Sequence, residues 1–228
     1  MSAHSPADLQ RIYESRFRRN AEYRRAVWRV LIGDFFARWL RPEHAVLDLG
    51  CGYGEFITQI SARTRFAMDL NPDAPRRVGE GVQCFLQDCS VHWPLPNDTL
   101  DVVFTSNFFE HLPDKTALGR TLDEVHRCLK PGGCLIALGP NIRHLPGAYW
   151  DFWDHYVPLS DRSLGEALEN RGFTIETCHE KFLPYTMANG PQYPLLFLRA
   201  YLRLPIMWRL VGKQFLVVAR KPGSEPIA

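Results

Sequence analysis

Residues 48–54 read D-L-G-C-G-Y-G and follow the apolar run Ala45, Val46, Leu47. The pattern describes a buried strand that ends in a glycine turn and leads into a helix starting near Glu55. Glycine at 50, 52 and 54 strips side chains from the main chain, so a ligand can lie against the backbone. The carboxyl end of a strand is where open α/β sheets bind small molecules. The third glycine of a dinucleotide-binding turn would fall at position 55, which is glutamate. A carboxylate in a first helical turn is a poor neighbour for pyrophosphate. The phosphate loop that ends in Gly-Lys-Ser/Thr is also absent. Asp48 and Glu55 bracket the glycines with negative charge, which suits a cationic ligand.

Two more acids extend the pattern. Asp69 closes a second apolar run, F-A-M-D-L at 66–70. It lies roughly 20 residues beyond Asp48, about where an acid grips ribose hydroxyls in such folds. Asp88 closes a third run at 82–88, where a carboxylate can accept from the exocyclic amine of adenine. Three acids at three consecutive strand ends can face one crevice.

With M-D-L-N-P (68–72), L-Q-D-C-S (86–90), D-V-V-F-T-S-N-F-F-E-H-L (101–112) and L-K-P-G-G-C-L-I (129–136), five ordered segments stand at compatible spacing. Over residues 41–141 the chain resembles the class I S-adenosylmethionine-dependent methyltransferases. That resemblance implies a Rossmann-like α/β fold: a mainly parallel seven-stranded sheet, helices on both faces, and an antiparallel C-terminal strand pair. It implies S-adenosyl-L-methionine as cofactor, with Gly50 and Gly52 at its methionine part, Asp69 at the ribose, and Asp88 and the Cys89 backbone at adenine. Ser106 and Asn107 are implied to line the cleft. With Asp48, Cys51 and Leu70, these residues make up the expected cofactor set.

Composition is that of an ordinary folded domain, with 46% hydrophobic and 23% charged residues in a chain of 228. One domain is expected: a helical cover over 1–41, a cofactor-binding core over 42–141, and an acceptor-binding part over 142–228. The six cysteines include no Cys-x-x-Cys pair, and no histidines stand at zinc spacing. A reducing, cytoplasmic setting is the simplest reading. Residues 1–10 are polar, so no signal peptide is expected, and no apolar stretch is long enough to span a bilayer. Net charge is +2, divided as +5 over 1–41, +6 over 181–228 and −9 between them. The basic ends can face an anionic substrate, nucleic acid or a membrane, or can be solvated helix faces.

Residues 8–40 read as helix, with Val27, Leu31, Phe35 and Trp39 in one stripe and Pro42 as its stop. Strands are expected at 45–49, 66–70, 82–87, 101–106, 134–138, 173–178 and 214–219. Helices are expected at 55–63, burying Phe56 and Ile60, and at 115–129. Ser160 reads as the N-cap of a further helix. Residues 183–212 mix aromatic residues with arginines. They read as a lid over the acceptor pocket, or as an element resting on anionic lipid; prolines at 191, 194 and 205 favour the lid.

Methyl transfer from a sulfonium needs an aligned acceptor and the exclusion of water. A hydroxyl acceptor also benefits from a base, and histidine suits that role. His111 follows the fourth strand; His155 follows the fifth, in the aromatic cluster at 149–156, with Asp151 or Asp154 available to orient it. His144 is a weaker candidate, and Tyr13 and Arg16 can close over the cofactor carboxylate. The aromatic cluster can stack on a sugar or aromatic acceptor, or plug the sheet end. No cluster of acids and histidines suggests a metal. The function expected is O-methylation of a small molecule, sugar or lipid-linked glycan, without nucleic acid. The rivals are a cofactor-binding partner subunit without activity and, less favoured because of Glu55, a nicotinamide dehydrogenase.

Overall fold

The computed structural model describes residues 20–185 and 192–223. Tyr13, Arg16 and part of the expected lid lie outside the described residues. Helix α1 (Ala21–Asp34) comes first, then β1 (Ala45–Leu49), β2 (Thr64–Asp69), the short α2 (Ala74–Val78), β3 (Gln83–Leu86) and β4 (Leu100–Ser106). Next come α3 (Lys115–Cys128), β5 (Leu129–Pro140), α4 (Asp161–Glu169), β6 (Thr174–His179), α5 (Leu195–Arg203), α6 (Pro205–Val211) and β7 (Gln214–Arg220).

The seven strands form one sheet in the order β3-β2-β1-β4-β5-β7-β6. Pairing is parallel from β3 to β5, while β7 runs antiparallel to both β5 and β6. The chain winds outward from β1 through β2 to β3, then returns to add β4 on the other side of β1. That reversal opens a crevice beyond the carboxyl ends of β1 and β4, where ligands bind in such sheets. In register, Asp48 of β1 stands between Ala67 of β2 and Phe104 of β4.

Two cores cover the two faces. Alternation along β1 sends Leu47 and Leu49 to one core and Val46 to the other. On the first face, Leu118, Leu122 and Val125 of α3 and Leu164 and Leu168 of α4 are buried. Asp114 caps α3 by accepting from the Ala117 N–H, and Ser160 and Ser163 form a reciprocal capping box on α4. On the second face, Val27, Val30 and Leu31 of α1 meet Leu202 of α5 and Trp208 of α6.

Three local features depart from the sequence expectation. Helix α1 stops at Asp34 rather than at Pro42, and a short 3-10 turn follows at Phe36–Arg38. Phe35 packs on Phe182 with centroids 4.5 Å apart, and Phe36 packs on Phe104 at 5.3 Å. Burying adjacent aromatic residues against different partners breaks the 3.6-residue period. The helix expected at 55–63 is a run of turns. There Thr58 Oγ1 donates to the Gly54 carbonyl at 2.7 Å, and Gln59 Nε2 to the Glu55 carbonyl at 2.7 Å. The Gly54 carbonyl also accepts the Thr58 N–H at 3.1 Å, but the next N–H, of Gln59, goes to the Phe56 carbonyl at 3.0 Å and the helical ladder does not propagate; Phe56 and Ile60 are buried as expected. Strand β5 starts earlier than expected, and a register shift between Leu100 and Val102 accommodates its Pro-Gly-Gly segment.

Candidate cofactor and acceptor site

A cavity of about 280 Å³ opens at the reversal point of the sheet. Its floor is the turn after β1, with Asp48, Gly50, Cys51 and Gly52. Phe104, Ser106 and Asn107 enter from β4, and Tyr23, Arg24, Val27, Trp28 and Leu31 from α1. Glu110, His111, Phe152 and His155 form one end, with Leu183, Tyr185 and Gln214 beside them. The expected cofactor residues Asp69, Leu70, Asp88 and Cys89 are not among the lining residues.

The glycine turn needs its glycines. Gly50, Gly52 and Gly54 all have positive φ, at 69°, 54° and 73°. A methyl group on Gly50 would lie 2.2 Å from Cγ of Phe108. Asp69 acts on the turn itself: its carboxylate accepts from the Gly52 N–H and the Asn71 N–H, each at 2.8 Å. Asp88 accepts from the Ser90 N–H at 2.8 Å, and the Cys89 thiol meets Thr121 Oγ1 inside the core.

The floor is electrostatically poised for a cation. Burial pushes the Asp48 carboxyl well above the ordinary carboxylate range, against the Ile57 N–H that it accepts. Repulsion from Asp69 and Glu55 adds to the rise. Asp69 is also raised by burial, despite its backbone donors. A positive ligand beside these groups relieves the repulsion between them. Glu55 is held by Arg24 in an ion pair at 2.8 Å.

At the other end, Nδ1 of His111 meets both the carbonyl and the carboxylate of Asp154, at 2.9 and 3.2 Å. Burial alone would lower this histidine, but the Asp154 bond and the charge of Glu110 outweigh it and hold His111 above its ordinary value. The two expected histidines come together, with ring centroids 5.0 Å apart. His155 is buried, stacked on Phe152 at 5.0 Å and edge-on to Tyr149 at 4.8 Å. Asp154 therefore orients His111, the partner that sequence reading did not assign to it.

Glu110 was missed by sequence reading. It is buried, and its carboxylate lies with the ring nitrogens of His111 and His155 in a group spanning 4.8 Å. Sequence spacing gave no such cluster; the fold assembles one. The aromatic run at 149–156 divides by position. Tyr149 is fully buried and plugs the sheet end, while Trp153 is 87% exposed and only Phe152 and His155 reach the cavity. His144 faces Glu180 at 3.6 Å, away from the cavity lining.

A family model described as "Methyltransferase domain" matches residues 20–177. The chain belongs to the methyltransferase domain family. Its cofactor is S-adenosyl-L-methionine, and the glycine turn and raised acids fit that cation. The Synechocystis 2-methyl-6-phytyl-1,4-hydroquinone methyltransferase is 27% identical over 58% of this chain and 47% of its own length. The demethylmenaquinone methyltransferase of Symbiobacterium thermophilum is 25% identical over 69% of this chain and 71% of its own. The chain thus spans about half the length of the first relative. A SAM-dependent methyltransferase structure from Archaeoglobus fulgidus shares the fold, with a TM-score of 0.66 and 21% identity over 92% of this chain and 98% of that one. Membership removes the nicotinamide reading. Among the described residues, no helix is long and apolar enough to cross a membrane.

Proposed function

We propose that this methyltransferase-family chain methylates a hydroxyl of a small molecule or sugar, with His111 as the base. The cofactor supplies the electrophilic methyl group. The chain's own work is to bind, align and take a proton. Asp48 and the bare turn at Gly50 to Gly52 hold the cationic donor. Asp69 fixes the turn through Gly52, and through it acts on the ribose end of the site. Asp88 and the Cys89 backbone are the proposed adenine contacts, beyond the cavity lining.

The observation that carries the reading is that His111, paired with Asp154, lines a cavity floored by the glycine turn. Asp154 occupies Nδ1, which leaves Nε2 to accept the acceptor's proton and Asp154 to stabilise the imidazolium that results. His155 and Glu110 form the wall beside it. Trp28, Phe104, Phe152 and Tyr185 supply flat apolar surfaces that exclude water and flank a ring. The hydroquinone and demethylmenaquinone named in the two relatives are ring compounds that such walls would flank, and neither name assigns the methyl to oxygen. The sugar of a lipid-linked glycan satisfies the same walls.

The test uses S-adenosylmethionine labelled in its methyl group, with hydroquinones and lipid-linked sugars as acceptors. Label should appear on oxygen, and His111→Ala should slow its appearance by roughly 10²–10⁴-fold while leaving cofactor affinity unchanged. Label on carbon or nitrogen, or full turnover by His111→Ala, contradicts the reading. Saturable cofactor binding with no turnover on any acceptor supports a non-catalytic subunit instead.

A further inference from the structure

Helices α5 and α6 each turn one side into the protein and leave the other bare. Leu195, Leu198, Tyr201 and Leu202 of α5 and Trp208 of α6 pack against the α1 face. The outward positions are no less apolar: Leu196 is 72% exposed, Phe197 63%, Ile206 59% and Leu210 69%. Scattered exposed leucines are normal on a soluble protein. Here six large exposed apolar residues, adding Leu204 and Val211, fall between 196 and 211.

The charges on the same stretch have one sign. Arg199, Arg203, Arg209 and Lys213 are exposed, and residues 192–213 contain no Asp or Glu. Arg199 also reaches Asp34 of α1 at 3.8 Å. A second copy docked face to face would set these cations against their own equivalents. An anionic bilayer offers hydrocarbon to the apolar side chains and phosphate to the cations at once.

This stretch also adjoins the cavity. Tyr23, a cavity residue, donates from its hydroxyl to the Tyr193 carbonyl at 3.0 Å. Tyr201 donates to the Phe182 carbonyl at 2.5 Å, next to the cavity residue Leu183. We propose that the outer side of α5 and α6 rests on an anionic membrane surface and that the acceptor enters the cavity from that lipid phase. The second half rests on the methyl-transfer reading above; the docking itself does not.

The experiment is co-sedimentation of the full chain with phosphatidylcholine vesicles, with and without phosphatidylglycerol, at low and high salt. The chain should pellet with the anionic vesicles and be released by salt. Charge reversal by Arg203→Glu with Arg209→Glu should weaken binding by about fivefold or more per cation removed. Leu196→Ser with Phe197→Ser should weaken it about tenfold or more. Both pairs are exposed, so calorimetric binding of S-adenosylmethionine should match the parent and certify the fold. A parent chain that binds cofactor yet stays in the supernatant overturns the docking. So does equal, salt-insensitive pelleting with neutral vesicles. A concentration-dependent dimer that Leu196→Ser with Phe197→Ser abolishes assigns the surface to a second copy and likewise overturns it. Loss of cofactor binding by the parent, with pelleting intact, sinks the enzyme reading and leaves the docking standing.

Discussion

Nδ1 of His111 is held from two sides by one residue: Asp154 presents its carbonyl at 2.9 Å and its carboxylate at 3.2 Å. The two residues are 43 positions apart in sequence. The arrangement fixes the tautomer that leaves Nε2 as the proton acceptor.

The pair sets a pH dependence. Burial lowers His111, but Asp154 and Glu110 raise it further, so its folded value lies above 6.5. As a base it must be neutral, so turnover at saturating cofactor should rise with pH through a value above 6.5. Asp154→Asn should move that inflection downward and reduce kcat, with cofactor affinity unchanged. His111→Ala should cost roughly 10²–10⁴-fold in kcat. Stability runs the other way. The contribution of His111 is complete below its unfolded value and is lost as pH rises through the folded one. The parent's Tm should therefore fall across that window more than the Tm of Asp154→Asn.

Asp69 is expected to matter for the shape of the turn as much as for any ligand. Its carboxylate satisfies two backbone donors, the part-buried Gly52 N–H and the buried Asn71 N–H. Asp69→Ala should cost on the order of 1–3 kcal/mol in unfolding experiments. It should also weaken cofactor binding. A variant that loses affinity with an unchanged Tm would limit Asp69 to ligand contact.

Gly50→Ala brings two penalties. The new methyl meets Phe108 at 2.2 Å, and the residue must keep a φ of 69°. Backbone strain of this kind costs roughly 1–3 kcal/mol. Adding Phe108→Ala removes the ring but keeps its Cβ, 2.7 Å from the new methyl, so it should recover only part of the steric loss and leave the backbone part, measured as a partial return of Tm. Full recovery would mean that φ carries no cost there.

Glu110, His111 and His155 are of the types that hold divalent cations, and their atoms lie close enough to do so. With Nδ1 of His111 committed to Asp154 and proton transfer as its role, chelation should leave turnover unchanged. Loss of activity on chelation, restored by a divalent cation, would reassign the cluster.

Sequence and structure agree most closely where one local rule dominates. The buried run at 45–49 and the stripe of α3 depend on periodicity, and Ser160 on capping chemistry; each stands where the pattern puts it. The glycine turn was legible because only glycine tolerates those dihedrals without strain. Tertiary contacts defeated the rest. The stripe through Phe35 and Trp39 was legible as buried, but its helix ends early where the adjacent Phe35 and Phe36 are both buried, one on Phe182 and the other on Phe104. Residues 55–63 looked helical, yet after one i→i−4 bond from Thr58 to Gly54 the Gln59 N–H tightens to the Phe56 carbonyl. Sequence adjacency offered Asp151 or Asp154 to His155; the fold sets Asp154 against His111. Glu110 was invisible as a site residue, because only the fold brings it beside both histidines.

The most direct measurement is titration calorimetry of the purified chain with S-adenosylmethionine and S-adenosylhomocysteine across pH. Burial raises Asp48, and repulsion from Asp69 adds to it. Its ionisation, and with it the pull on a sulfonium, should therefore grow as pH climbs above the ordinary carboxylate value of about 4. The expected result is saturable binding at one site. Affinity for the cationic donor should rise over that window more steeply than affinity for the neutral-sulfur product, and Asp48→Asn should flatten the difference. Absence of heat from either compound at every pH would contradict the assignment of this cavity to a methyl donor.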